Sequence, residues 1–415
     1  VKSWSRPEVP QLEGHGEVPR IWDTPSAALR EARPSAVAGN SVAGIYVCGI
    51  TPYDSTHIGH AATYLAYDTL IRLWLDAGYD VHYVQNSTDV DDPLLERALA
   101  RGLDWRGLAE SQTDRFRTDM QALRVIPPSH YIAVTERIDE IATAVKLLAD
   151  RSLAYALDGD YYFDSAAVEA VRSWRLGDES GYDRSLMLAL SAERGGDPDR
   201  PGKRDPLDPL LWRAERDGDP SWPSILGAGR PGWHIECSVI SAEFLDLPLT
   251  VNGGGADLIF PHHEFTAGHT IALTGTALAS VYSHTGLVAY RGEKMSKSLG
   301  NLVLVSELTA SGVDPRAIRL AIFSQRYRDN WEWTDELLQI AQDRLTRWSA
   351  WAAHVPVAAP GVISSDTLTT ALRGLLSNDL DTPAALLAID DAIASGVGAS
   401  AADLAAIDAL LGIQL

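Results

Sequence analysis

Residues 43–85 constrain the fold more tightly than any other part of this 415-residue chain. Residues 43–50 (AGIYVCGI) form a short apolar run with β-branched members, the pattern of a buried strand. From 58 to 77, Tyr64, Leu65, Thr69, Leu73 and Trp74 recur at steps of three and four, which predicts a helix ended by Gly78. Residues 79–85 (YDVHYVQ) read as a second strand. Strand, helix and strand in so short a span make a βαβ unit, so a parallel sheet with a right-handed crossover is expected. Ligands of such sheets bind beyond the carboxyl ends of the strands, close to helix N-termini.

The remaining sequence organises around that unit. Residues 1–42 are Pro-rich and read as an irregular arm. Residues 43–300 are expected to form the core, with an insertion at about 93–232, and 301–415 a helical bundle. Residues 93–155 read as mostly helical and 154–163 (AYALDGDYYF) as a hairpin turning at Asp158-Gly159. Residues 175–232 are rich in Gly, Pro, Asp and Arg and read as a long irregular stretch. Residues 249–252 are strand-like. From 302 onward the pattern is helical, with amphipathic stretches at 334–352, 366–377, 382–394 and 400–411. Apolar residues are 46% and charged residues 22%, a globular balance. No apolar run approaches the roughly 18 residues that span a membrane, and the N-terminal stretch has no apolar signal core. The two cysteines, Cys48 and Cys237, are far apart, so reduced thiols and a cytoplasmic location are expected.

Two motifs carry chemistry. His57-Ile58-Gly59-His60 opens the predicted helix; its imidazoles either hold phosphate oxygens or simply cap the helix. Lys294-Met295-Ser296-Lys297-Ser298 precedes Leu299-Gly300-Asn301 and suits a phosphate clamp that stabilises charge on a leaving pyrophosphate. Only 5 lysines stand beside 30 arginines, so two lysines three apart argue against mere surface charge. The net charge of −21 disfavours nucleic acid in bulk, though a local basic face remains compatible with it.

Together these motifs resemble the HIGH and KMSKS signatures of class I aminoacyl-tRNA synthetases. Residues 46–61 (YVCGITPYDSTHIGHA), 229–238 (GRPGWHIECS), 253–264 (GGGADLIFPHHE), 205–213 and 379–386 resemble blocks of cysteinyl-tRNA synthetase. The resemblance implies an α/β Rossmann-like catalytic core with an inserted domain and a C-terminal helical bundle. It implies His57, His60, Lys294 and Lys297 as catalytic residues. Cysteine and its adenylate would be contacted by Cys48, Gly49, Ile50, Thr51, Thr63, Asn86, Ser87, Thr88, Trp233, Gly255, Ala256, Asp257 and Val288. Asp257 would hold either ribose hydroxyls or the substrate amine, and Trp233 either packs against the cysteine pocket or belongs to the core. The resemblance also implies one zinc per chain on Cys48, Cys237 and His262, with Thr266 where the synthetase carries a Glu ligand. Spacing alone would favour three ordinary buried residues. Glu264 or His263 is a candidate replacement for the missing carboxylate. An open zinc position admits a substrate thiol and disfavours the hydroxyl of serine.

A tRNA ligase must also hold tRNA. Residues 349–415 contain one Arg, no Lys and seven Asp, the wrong sign for phosphate recognition. Glu193-Arg194-Gly195-Gly196-Asp197-Pro198 and residues 83–98 (YVQNSTDVDDPLLERA) instead resemble the synthetase-related family that ligates L-cysteine to glucosaminyl-inositol in mycothiol biosynthesis. That family implies a carbon–nitrogen ligase that uses ATP, with Mg2+, and forms cysteinyl-adenylate. It implies no tRNA partner and no membrane, and a monomer is expected. Glu193 to Pro198 are the candidates for the acceptor side of the cleft. A cysteinyl-tRNA synthetase without its anticodon-binding region is the alternative.

Overall fold

The computed structural model describes residues 1–37, 40–53, 56–295, 300–353 and 367–415. Its centre is a parallel sheet of β1 (Asn40–Val47), β2 (Asp80–Ser87), β3 (His130–Ala133), β4 (Leu249–Gly255) and β5 (Ala279–Thr285), in the order β5-β4-β1-β2-β3. The short strand Ser35–Val37 pairs antiparallel with β1. Helix α1 (Ile58–Asp76) joins β1 to β2, α2 (Trp233–Phe244) precedes β4, and α3 (Glu264–Thr274) joins β4 to β5. The βαβ unit expected from residues 43–85 is therefore present. Ile45 and Val47 enter one core and Tyr46 the other, as the two-residue period of a strand requires. Covering both faces is what makes β1 read as a continuous apolar run.

From β1 the sheet grows in both directions, towards β2 on one side and β4 on the other. This reversal opens a crevice between the carboxyl ends of β1 and β4. Its floor is closed where the Cys48 amide donates to the Gly253 carbonyl at 3.2 Å.

Three expectations need correction. Strand β3 lies within the interval assigned to the insertion, yet it pairs in parallel with β2. Residues 175–232 are not irregular throughout: they contain the helix Arg184–Glu193 and the strands Leu210–Ala214 and Gly229–Pro231. These strands extend the hairpin Ala154–Leu157/Asp160–Phe163 into a four-stranded antiparallel sheet. The hairpin itself turns at Asp158-Gly159, where φ values of 50° and 91° match the mirror-image turn that such a pair favours. The N-terminal arm carries its own hairpin, Arg20–Asp23 with Ala28–Glu31.

The C-terminal part is helical, as expected, at Asp335–Ala352, Thr367–Leu376, Thr382–Ala394 and Ala401–Leu411. A strand, Trp331–Trp333, interrupts it and pairs in parallel with Val288–Tyr290. Helix α1 is buried on nearly every side because the C-terminal helices cover what the sheet leaves open. Inside this junction Asp68 accepts from Arg72 Nε at 2.8 Å, from the Ile126 amide at 2.8 Å, and from Arg319. Arg72 and Arg319 also donate to carbonyls in the last turn of the helix Ala401–Leu411. The N-terminal arm closes on the same region: Arg20 exchanges backbone hydrogen bonds with Ser377 and Asp379, each at 2.8 Å. Arg373 pairs with Asp76 at the end of α1.

Candidate active site

A cleft of about 1100 Å³ opens over the carboxyl ends of β1, β2, β4 and β5. Cys48, Gly49, Ile50, Thr51, His57, His60, Thr63, Asn86, Thr88, Trp233, Gly255, Asp257 and Val288 line it, together with Cys237, His262 and residues 193–197. Residues named from six separated stretches of sequence thus share one cavity. Ser87, Ala256 and Pro198 are not among the lining. For Ser87 the reason is strand alternation: Asn86 and Thr88 face the cleft, while Ser87 is buried on the opposite face.

The strand ends meet closely. The Gly49 amide donates to Asn86 Oδ1 at 2.8 Å, and Asn86 Nδ2 donates to Thr88 Oγ1 at 3.0 Å. A Cβ on Gly49 would lie 1.6 Å from the Asn86 carbonyl oxygen, so no other residue fits this approach.

Cys48 follows β1, Cys237 lies on α2, and His262 lies in the turn between β4 and α3. Their ligand atoms all lie within 4.8 Å of one another, and all three residues are buried. His262 Nε2 is 3.3 Å from Cys237 Sγ, while its Nδ1 is 3.0 Å from His234 Nδ1. Trp233 stacks on the His262 ring at 4.5 Å. Burial, then the neighbouring histidines, holds His262 well below the usual imidazole range, so its ring is neutral and offers a lone pair. Burial and the adjoining Cys237 push the Cys48 thiol up. Two buried thiols and a neutral imidazole converging on one point form a donor set that fits zinc.

Of the residues proposed to replace the missing carboxylate, Glu264 points away: it accepts from the Gly177 and Ser180 amides, both at 2.9 Å. His263 Nε2 is 3.2 Å from Cys48 Sγ, and its Nδ1 meets His284, which in turn meets Thr24. Thr266 donates to the His262 carbonyl at 2.7 Å, back to the turn that precedes its helix. His234 and His284 were not singled out from sequence. They orient the residues next to the cysteines, a role written in side-chain contacts rather than in any spacing.

His57 and His60 stack at 3.7 Å, and His57 Nδ1 accepts from the His60 amide as the N-cap of α1. The capping alternative is therefore true of His57 Nδ1, which places the ring proton on Nε2. Lys294 closes a short strand opposite Ala289. Its side chain and Lys297 lie outside the described residues, as do Ser296 and Ser298.

The inserted sheet forms the outer wall. Arg213 and Arg230 both pair with Asp92 there, at the cleft mouth. Asp91, also unforeseen, lines the cleft and is pushed up to about 6 by burial and by the charge of Asp92. Arg194 donates to the carbonyls of Asp257 and Phe260. No helix among the described residues is long and apolar enough to cross a membrane.

Comparison with known proteins places this geometry in a family. Residues 35–343 match the class I (C) tRNA synthetase catalytic domain. An L-cysteine:1D-myo-inositol 2-amino-2-deoxy-alpha-D-glucopyranoside ligase of Clavibacter michiganensis is 59% identical, covering 100% of this chain and 99% of its own. Proteins of the same name from Clavibacter sepedonicus and Kocuria rhizophila are 60% and 52% identical, over 95% and 100% of this chain. Among solved structures, Mycobacterium tuberculosis methionyl-tRNA synthetase in complex with methionyl-adenylate matches 89% of this chain and 88% of its own with a TM-score of 0.58. At 19% identity that likeness speaks for the fold alone.

Proposed function

The chain belongs to the L-cysteine:1D-myo-inositol 2-amino-2-deoxy-alpha-D-glucopyranoside ligases of the class I synthetase family, and from that premise we propose that it joins L-cysteine to the amine of glucosaminyl-inositol at the expense of ATP. The observation that carries the reading is the convergence of Cys48, Cys237 and His262, under Trp233, in the cleft at the switch point of the sheet. Cysteine's carboxylate attacks the α-phosphorus of ATP and pyrophosphate leaves, giving cysteinyl-adenylate. The sugar amine then attacks the acyl carbon, AMP leaves, and an amide and a proton result. The product belongs to mycothiol biosynthesis.

Each part of the cleft has a task in this reading. The strand ends around Gly49, Asn86 and Thr88 form a rigid floor for the amino acid. The Nε2 proton of His57 faces the ATP phosphates with His60, and Lys294 and Lys297 neutralise charge that develops on the departing pyrophosphate, with Mg2+ accompanying ATP. Asp257 orients ribose hydroxyls or the cysteine amine. A zinc ion held by Cys48, Cys237 and His262 would supply a soft electrophile that prefers a substrate thiol to a hydroxyl, which separates cysteine from serine without editing. The acidic residues 349–415 offer no basic face for an anticodon stem, which favours a small acceptor over tRNA.

The test is cysteine-dependent ATP–pyrophosphate exchange without tRNA, followed by ligation with glucosaminyl-inositol or tRNA as acceptor. The amino sugar should be consumed and yield an amide stable to mild alkali. Its kcat/KM should vary little with salt, because a near-neutral acceptor releases few counterions. Efficient charging of cysteine tRNA with no turnover of the amino sugar would restore the tRNA synthetase alternative.

A further inference from the structure

We propose that Arg194 is a positioning residue for cysteine activation: it braces the inserted module against the turn that carries Asp257 and His262. This assigns residues 193–198 a task distinct from contact with the acceptor, and it rests on the functional reading above.

The geometry has two ends. At one, Arg194 Nη1 donates to both the Asp257 and the Phe260 carbonyls. These oxygens bracket the tight turn that follows β4, so one guanidinium nitrogen pins both ends of it. Asp257 lines the cleft, and His262 lies two residues beyond Phe260, stacked on Trp233 and 3.3 Å from Cys237. At the other end, Asp197 accepts from Lys203 Nζ at 2.9 Å and from Tyr162, which lies on the inserted sheet. The Lys203 side chain is only 3% exposed while Asp197 is 40% exposed, so this anchor sits at the cleft wall with its lysine covered. Between the two ends the chain is tied to the helix Arg184–Glu193: the Arg194 amide donates to Leu190 O at 3.0 Å and the Gly196 amide to Ser191 O at 2.8 Å. The segment is thus fixed to the inserted sheet, to its helix and to the turn at once. With Nη1 committed to two backbone oxygens, the group acts on the chain itself.

Acceptor contact and bracing give different kinetic signatures. Pyrophosphate exchange requires no acceptor, so a brace is felt there and an acceptor contact is not. The variants are Arg194→Met, which keeps the stem and removes the donors, and Arg194→Lys, whose single nitrogen can supply both. For Arg194→Met, kcat/KM for cysteine in exchange should fall by on the order of 10- to 100-fold, the scale of an ångström misplacement. The visible absorption bands of the cobalt-substituted protein should shift, because the His262 donor moves relative to the cysteines. The acceptor KM should stay unchanged. Arg194→Lys should recover most of the exchange rate and the cobalt spectrum, and Arg194→Gln, held to the same outcomes, takes the place of the Met variant if that does not fold. Normal exchange and an unaltered cobalt spectrum in Arg194→Met would overturn the proposal, whether or not the acceptor KM rises. If the unaltered enzyme shows no cysteine-dependent exchange, the functional reading fails while the cobalt spectra still decide the brace.

Discussion

Gly49→Ala tests whether the approach of the β1 and β2 ends is as tight as the structure has it. The added Cβ would stand 1.6 Å from the Asn86 carbonyl oxygen and 2.6 Å from its carbon, whereas ordinary contact begins near 3.4 Å. The strand ends must therefore part by about 1.8 Å, more than side-chain rearrangement can absorb because the obstacle is backbone. Parting them strains two hydrogen bonds, Gly49 N to Asn86 Oδ1 at 2.8 Å and Thr88 N to Ile50 O at 3.0 Å. Overpacking of about 1 to 3 kcal/mol and the weakened bonds together give a loss of about 2 to 4 kcal/mol. Cys48 is the adjacent residue, so the donor set shifts too, and pyrophosphate exchange should fall by on the order of 100-fold. Denaturant unfolding and exchange assays on the same preparation measure both effects. Gly374→Ala is the control: it lies in the helix Thr367–Leu376 with nothing within 4 Å of the added Cβ. It should stabilise by about 0.5 to 1 kcal/mol and leave exchange unchanged. A Gly49→Ala protein with the unfolding midpoint and exchange rate of the parent would refute the argument.

Two further outcomes are expected. Cys237→Ala should reduce bound zinc from near one per chain to a trace and abolish cysteine activation with it, as metal analysis and exchange will show; retained metal would discredit the donor set. Asp68→Asn should cost about 3 to 5 kcal/mol at neutral pH, because it leaves the buried Arg72 and Arg319 charges uncompensated. Burial alone would raise the Asp68 carboxyl, but the two guanidinium charges outweigh it and hold the group below its usual range. A depressed folded value means the contribution is complete above about pH 4 and disappears as pH falls further. The gap between Asp68→Asn and parent in urea unfolding should accordingly narrow below pH 4; a constant gap would contradict the ionic account.

How far the sequence could be read depended on the range of the interaction. The βαβ unit was legible because residues 43–85 carry their own periodicity and Gly78 marks the helix end. The Asp158-Gly159 hairpin was legible because its turn chemistry is local. Strand β3 was missed: HYIA is only four residues long, starts two residues after Pro128 and lies between two helices, too short to show a period. The helix Arg184–Glu193 was hidden by the Gly, Pro and Asp around it, although Asp183, which accepts from the Leu186 amide, is a visible N-cap. Cys48, Cys237 and His262 were named by resemblance; no spacing foretells three donors drawn together from separate elements. His234 and Arg194 act through an imidazole and through backbone carbonyls, and contacts of that kind leave no pattern in composition.

The closure of the N-terminal arm on the C-terminal helices bears on how the chain is made. Thr24 finds His284, Arg20 finds Ser377 and Asp379, Asp76 finds Arg373, and Arg72 finds the helix Ala401–Leu411. The first 80 or so residues thus complete their contacts only when residues beyond 400 have been synthesised. At about 5 to 20 residues per second, that is a wait of roughly 20 to 60 s on the ribosome. During it the face of α1 that carries Asp68 and Arg72 lacks Arg319 and the helix Ala401–Leu411 that pack on it. Nascent chains halted short of the last helix should therefore bind chaperones and yield to protease within α1, while the locally paired hairpin at 154–163 forms without waiting.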